Sequence, residues 1–308
     1  LKKTISKILC LVFVLSISIL SGCTAGTSAD KNSGDENKIT VYTSFYTMHD
    51  FTKKIGGDKI NLTNLVPAGT EPHEWEPTPA DIANLEKADV LIYNGAGMEG
   101  WLDKVLKTLE NNNLIVVETS KDLKLLDNAD GDEDLKYDPH VWLNPMNAKK
   151  QMAAIKNALA SADPSNKDYY EKNYIDNAKK LDDLDKEFMD AAAKFEKKDI
   201  VVAHQAFGYL CDAYGLKQVA IEGLNADAEP SPAKMAEITE FAKENDVKYI
   251  FFEELMSSKV AEVIAKEVGA KTEVLSPLEG LEEKEIQAGK EYFSVMRENL
   301  EVLKRALQ

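Results

Sequence analysis

Near the middle of the chain stands SNKDYYEKNYIDNAKKLDDLDKEFMDAAAKFEKK, residues Ser165–Lys198, without one glycine or proline. Tyr174, Ala178, Leu181, Leu184, Phe188, Ala192 and Phe195 recur in it at steps of three or four, with charges between them. That is the spacing of one apolar helix face. At about 1.5 Å per residue such a helix reaches roughly 50 Å. One ordinary domain has no use for an element that long, so the spacing predicts a stiff strut lying along two.

Outward from this segment the same theme is written twice. Short β-branched runs bounded by turn residues alternate with helix-period segments. Before the strut the predicted strands are Ile39–Thr43, Ile60–Val66, Asp89–Tyr93 and Leu114–Glu118, with helices over Met48–Ile55, Pro79–Lys87 and Gly100–Glu110. After it the strands are Ile200–Ala203, Gln218–Glu222, Lys248–Phe252 and Thr272–Leu275, with helices over Gln205–Tyr214, Pro232–Asn245, Ser258–Glu267 and Glu282–Leu307. Strands of four to seven residues joined by helical crossovers imply parallel sheets covered on both faces. The expected fold is therefore α/β, with a four-stranded parallel sheet in an N-terminal domain (38–164), the connecting helix (165–198) and a second sheet in a C-terminal domain (199–308).

The front of the chain is of another kind. Lys2, Lys3 and Lys7 precede an apolar run from Ile8 to Leu20. This run is too short for a spanning helix and reads as an export signal over 1–22. It ends in Leu20-Ser21-Gly22-Cys23, which resembles a bacterial lipobox and makes Cys23 the expected lipid-attachment residue. Residues 24–37 carry no large apolar side chain and read, with Cys23, as a tether. Beyond Cys23 only Cys211 remains, so the folded body holds no internal disulfide; its helical setting suggests a buried apolar role. The 308 residues carry 53 acids against 37 bases, a formal charge of −16 that argues against phosphate-mediated nucleic-acid binding. The apolar share of 44% excludes a disordered chain.

The chemistry concentrates in histidine. There are only four, His49, His73, His140 and His204. His49 falls within a predicted helix and reads as a boundary residue. The other three lie beyond carboxyl ends of strands or in long connections on that side, where open α/β sheets gather ligands. Proline directly precedes His73 and His140 and restricts the backbone there. Three histidines so placed point to one shared metal ion, and imidazole suits Zn²⁺ where harder carboxylate sets favour Mn²⁺. A fourth ligand would be a carboxylate: Glu279, Glu253, Glu254 or Glu74.

Four segments carry a family resemblance: Gly69-Thr-Glu-Pro-His73-Glu-Trp-Glu76-Pro-Thr-Pro79, Asp138-Pro-His140-Val-Trp142-Leu-Asn144-Pro145, Ala203-His204-Gln-Ala-Phe207-Gly-Tyr209 and Ser276-Pro-Leu-Glu279-Gly280. Over nearly the whole mature chain the sequence resembles the zinc-binding lipoproteins of ABC importers, a metal-specific group of solute-binding proteins. The resemblance implies two α/β domains joined by a long helix, metal in the cleft between them, and His73, His140 and His204 as ligands. His204 points to zinc, because manganese-selective relatives tend to carry Glu there. Many relatives place the fourth ligand on an Asp where this chain has Ser276; the role moves to Glu279, as in members with a Pro-Leu-Glu-Gly segment. The acidic run Asp127–Asp134 lacks the histidines that many zinc members carry before the second ligand, and reads as a solvated loop.

Three rivals weigh less. Gly95-Ala-Gly97-Met-Glu99-Gly100 matches a dinucleotide fingerprint, but puts Glu99 where a pyrophosphate would sit. A zinc hydrolase needs an open water position and a general base, and HExxH is absent. A surface adhesin has no evident patch. The expected function is capture of Zn²⁺, as transported ligand, outside the cytoplasm and its delivery to a membrane ABC permease. The expected protein is a lipid-anchored monomer on the outer face of the bacterial membrane, and not an enzyme. The alternatives are a manganese-binding member of the same family or a zinc-dependent hydrolase.

Overall fold

The computed structural model describes residues 38–128, 135–224 and 230–308. The export signal, Cys23, the tether and residues 129–134 of the acidic run lie outside the described residues. The first sheet is built from β1 (Ile39–Thr43), β2 (Ile60–Asn64), β3 (Val90–Tyr93) and β4 (Ile115–Glu118). They are all parallel, in the order β2-β1-β3-β4. The second uses β5 (Asp199–Val202), β6 (Lys217–Ala220), β7 (Tyr249–Phe252) and β8 (Lys271–Val274), parallel and in the equivalent order β6-β5-β7-β8. In both, the order reverses direction at the central pair of strands, so each sheet has a switch point at its carboxyl edge. Central strands are the most apolar: Val90, Leu91 and Ile92 are fully enclosed, as are Val201 and Ile250.

Ten helices among the described residues cover the sheets. They are α1 (Tyr46–Gly56), α2 (Pro79–Leu85), α3 (Leu102–Leu106), α4 (Pro145–Ala162), α5 (Lys167–Ala192), α6 (Gly208–Tyr214), α7 (Pro232–Glu244), α8 (Lys259–Val268), α9 (Glu283–Gln287) and α10 (Tyr292–Leu307). The long helix is α5, and its 26 residues reach about 39 Å rather than 50. Phe195 still enters the core, but from the turn beyond the helix, so the three-and-four spacing outlasts the helix itself. Helix α4 has no counterpart among the predicted elements. Conversely, the single helix predicted over Glu282–Leu307 is two. Gly289, in the left-handed region at φ +86°, ends the first, and the Glu291 carboxylate caps the second by accepting from the Ser294 N–H at 3.0 Å.

Helix α5 packs against α1 and α4 on one side and α6 and α10 on the other. One apolar cluster runs from Val41, Phe51 and Trp142 through Leu181 and Phe188 to Phe251 and Leu300. Both sheets therefore present their carboxyl edges to a common region with a continuous core behind it.

Candidate metal centre

His73 reaches this region from the loop after β2. The ladder continues two residues past the strand, with the N–H groups of Leu65 and Val66 donating to the carbonyls of Thr43 and Ser44. Pro67 then turns the chain, and Gly69 N–H donates to the Leu281 carbonyl at 3.0 Å, tying this loop to the second half. The Glu71 carboxylate accepts the backbone N–H of His73 at 3.0 Å.

His140 is held more closely. Asp138 Oδ1 accepts both its backbone N–H, at 2.9 Å, and its ring Nδ1–H, at 2.7 Å. This leaves Nε2 as the free lone pair. Asn94 donates to the Pro139 carbonyl and the Tyr209 hydroxyl to the Asp138 carbonyl, each at 2.9 Å. Gly208 makes that approach possible, since a Cβ there would stand 2.3 Å from Asp138 Oδ2.

His204 follows β5 directly. Its Nε2–H donates to the Leu224 carbonyl at 3.0 Å, and Nδ1 lies 3.2 Å from Glu253 Oε1 and 3.9 Å from Glu279 Oε1. Glu279 follows β8 on a loop gripped by the first half. Trp142 Nε1–H donates to the Pro277 carbonyl at 2.7 Å, and the Thr47 hydroxyl donates to that of Leu278. Leu278 itself adopts φ +59°, a left-handed conformation that a leucine holds only when its surroundings impose it.

Together these elements bring one donor atom each of His73, His140, His204 and Glu279 within 4.8 Å of one another. His73 Nε2 lies 3.3 Å from His140 Nε2 and 3.3 Å from Glu279 Oε1, and His140 Nε2 lies 2.7 Å from the same oxygen. Ligands on a tetrahedral Zn²⁺ with bonds of about 2.0–2.1 Å stand roughly 3.3 Å apart, so the cluster is near that scale. Glu279 Oε2 and His204 Nδ1 are buried and accept or donate no hydrogen bond. Three imidazoles and one carboxylate with unsatisfied buried atoms fit a zinc ion as bound substrate.

The electrostatics follow from crowding. Burial, the largest influence, pushes Glu279 up, but the three imidazoles around it outweigh this and hold it well below the usual carboxylate range. Burial dominates His73 and lowers it. His140 is raised, because hydrogen bonding and attraction to Asp138, then Glu279, overcome burial. His204 is raised to about 10, burial again being outweighed by Glu253 and Glu279. Glu71 is pushed up to about 9 by burial and by the Glu279 charge.

The remaining candidates lie apart. Glu254 and Glu74 do not belong to the four-residue group, and His49 is half-buried on α1, lowered to about 4 by burial and by Lys53. Cys211 is a buried free thiol that burial pushes up. The glycine-rich turn at Gly95 is occupied by its own anion: Glu99 accepts from the Ser44 hydroxyl at 2.6 Å and from the N–H groups of Asn94 and Gly95 at 2.9 Å. That removes the dinucleotide reading. The supporting acids Glu71 and Asp138 were not among the candidates, although each stands two residues before a histidine with proline between.

Two parallel sheets that close on a buried three-histidine, one-carboxylate group define a metal-binding protein of the two-lobed solute-binding class. The chain belongs to the family described as zinc-uptake complex component A, periplasmic (ZnuA), whose model matches residues 41–306. It is 44% identical to the high-affinity zinc uptake system protein ZnuA of Bacillus subtilis, over 96% of this chain and 97% of that protein. The crystal structure of Zn(II)-bound AdcA from Streptococcus pneumoniae matches with a TM-score of 0.78 at 42% identity, covering 88% of this chain and 58% of that one. The metal-dependent lipoprotein YcdH of Bacillus subtilis matches with a TM-score of 0.78 at 46% identity, over 88% and 99%.

Proposed function

We propose that this protein captures Zn²⁺ outside the cytoplasm through His73, His140, His204 and Glu279 and delivers it to the permease of an ABC importer. The observation that carries the reading is the buried four-donor group between the two sheets. Four protein ligands close a tetrahedral shell and leave no position for an activated water, so the site binds rather than hydrolyses. Three imidazoles favour zinc over manganese. The sheets and their helices act as two domains, 38–164 and 199–308, bridged by the connecting segment 165–198. The protein works as a monomer, tethered to the outer face of the membrane by lipid on Cys23.

Metal analysis of the protein purified without chelator, followed by calorimetric competition between Zn²⁺ and Mn²⁺, tests this reading. One zinc per chain and a strong preference for Zn²⁺ are expected. No bound zinc, or equal affinity for the two ions, would overturn it.

A further inference from the structure

We propose that zinc enters and leaves the centre through the cavity between α1 and the turn joining α9 to α10, with His49 in its wall as a transit ligand. The inference rests on the zinc-site reading above and concerns the path to the four donors, not the donors themselves.

The donors are sealed. The side chains of His73, His140, His204 and Glu279 are 5, 0, 2 and 1% exposed, so an ion reaches them only through a wall of the site. A cavity of about 570 Å³ has Glu279 in its lining and the exposed residues Lys53, Ala68 and Glu283 at its rim. Four further cavities on the molecule include none of the four donors. Helix α1 forms one wall, with His49, and the α9–α10 turn another, with Gly289 and Glu291. Thr70 and Gly280, from the loops that carry His73 and Glu279, also line it. A Cβ on Gly280 would stand 3.4 Å from the Thr70 carbonyl oxygen, so the two loops close against each other there. A small shift of either loop joins the cavity to the donors.

The lining suits a cation in passage. Asp50, Glu279, Glu283 and Glu291 stand against Lys53, Lys54 and Lys290. Two of these lysines are engaged: Lys54 with Asp50 at 2.6 Å and Glu291 at 2.7 Å, Lys290 with Glu285 at 3.1 Å and Glu298 at 3.0 Å. His49 adds an imidazole, the borderline donor that suits zinc. Its Nδ1 is enclosed and has no hydrogen-bond partner, a cost that packing alone would avoid with an apolar side chain. Burial, and then Lys53, hold the ring at about 4, so it is neutral and keeps a lone pair. No hydrogen bond locks that nitrogen, whereas Asp138 locks Nδ1 of His140 at 2.7 Å. A neutral, unlocked imidazole takes up an ion and lets it go, which is what a transit ligand must do.

A group met only in transit speeds entry and exit equally and leaves the equilibrium alone. Stopped-flow exchange of Zn²⁺ with a fluorescent chelator reads both rates, and their ratio gives Kd. Glu283→Cys, modified with a bulky maleimide, plugs the cavity. Glu240→Cys on α7, treated alike, is the control; Cys23 is common to both variants and Cys211 is buried. The plug is expected to slow uptake and release together by at least about tenfold, and His49→Gln by at least about threefold, with Kd in both within about twofold of wild type. The control should exchange at the wild-type rates. Unchanged exchange in the plugged protein would overturn the route. Exchange of His49→Gln at wild-type rates, or a loss of affinity in it with uptake unchanged, would overturn the transit role. In zinc-free protein the plug should also slow carbethoxylation of His73 by diethyl pyrocarbonate, followed by mass spectrometry. Failure of wild type to bind zinc would instead overturn the proposed function, and the carbethoxylation comparison would still judge the route, equal rates with and without the plug overturning it.

Discussion

Two histidines of the four-donor group are set by the same three-residue device, an acid, a proline and the histidine. Glu71 and Asp138 each accept the backbone N–H of the histidine two positions on, at 3.0 and 2.9 Å. Proline between them fixes one φ and biases the residue before it toward extended backbone, so the acid is aimed before folding is complete. Glu279, the proposed fourth ligand, has no such device and depends on contacts from the other half. Glu279→Ala should still bind one zinc through the three histidines, with affinity reduced at least about tenfold, whereas Glu254→Ala should be nearly silent. Competition against a fluorescent zinc chelator reads both, and the reverse ranking would remove Glu279 from the site. Protons report on the same atoms. In the zinc-free protein Glu253 and Glu279, against burial, raise His204 from 6.5 to about 10. Its attraction to them stabilises the zinc-free fold fully below 6.5 and is lost as pH rises through about 10. Zinc needs an unprotonated nitrogen, so binding expels that proton and affinity climbs with pH over the same interval. Calorimetry near neutral pH in buffers of different ionisation enthalpy should show at least one proton released per zinc. A buffer-independent heat would contradict this.

At the scale of elements, what could be read ahead was whatever repeats locally. All eight strands announced themselves as β-branched runs between turn residues. The amphipathic face of α5 did so by its spacing. Helix α4 did not, because it opens on Asn144-Pro145, a pair that ordinarily punctuates a turn and that closes a ligand-bearing segment here. The structure gives both residues helix-starting roles. The Asn144 side chain accepts from Met146 N–H at 2.8 Å, and Pro145 occupies the first helical position, where no N–H is needed. Asn144→Ala should therefore lower the stability of the zinc-free protein by about 0.5–2 kcal/mol. An unchanged midpoint in urea denaturation would show that the cap contributes nothing. The three clustered histidines were legible for a related reason: histidine is rare in this chain, and each of the three follows a strand's carboxyl end, His204 directly and His73 and His140 through longer connections. Glu279 stood among several possible carboxylates on residue chemistry, and only the family resemblance singled it out. The approach of Glu253 to His204 was not legible, since it follows from the register of β5 and β7, strands separated by some fifty residues of chain.

For the whole molecule the question is how far the two halves move when zinc arrives. The connection between them is α5, which packs on helices of both halves, and Ser165–Lys198 contains none of the glycine or proline that a wide hinge commonly uses. The halves are also joined beside the site itself. Trp142 donates to Pro277, Tyr292 donates to the Trp142 carbonyl at 2.7 Å, Gly69 donates to Leu281 and Tyr209 donates to Asp138. Arg297 and Glu187 add an ion pair at 2.9 Å between α10 and α5, though one too exposed to matter much alone. Behind these bonds lies one apolar cluster, so a large rotation would expose side chains such as Leu181, Phe188 and Leu300 that are now enclosed. Exposing a single such side chain costs about 1.5–3 kcal/mol, and a wide opening would expose several. Metal exchange is therefore expected to proceed by movement of the loops that carry His73 and Glu279, over a nearly fixed frame. Small-angle scattering of zinc-free and zinc-loaded protein should give radii of gyration that differ by less than about 1 Å. Hydrogen exchange should slow on zinc binding in the loops around His73 and Glu279 and stay unchanged along α5. A contraction of several ångströms, or zinc-dependent protection along α5, would show that the strut bends and that the halves close as separate bodies.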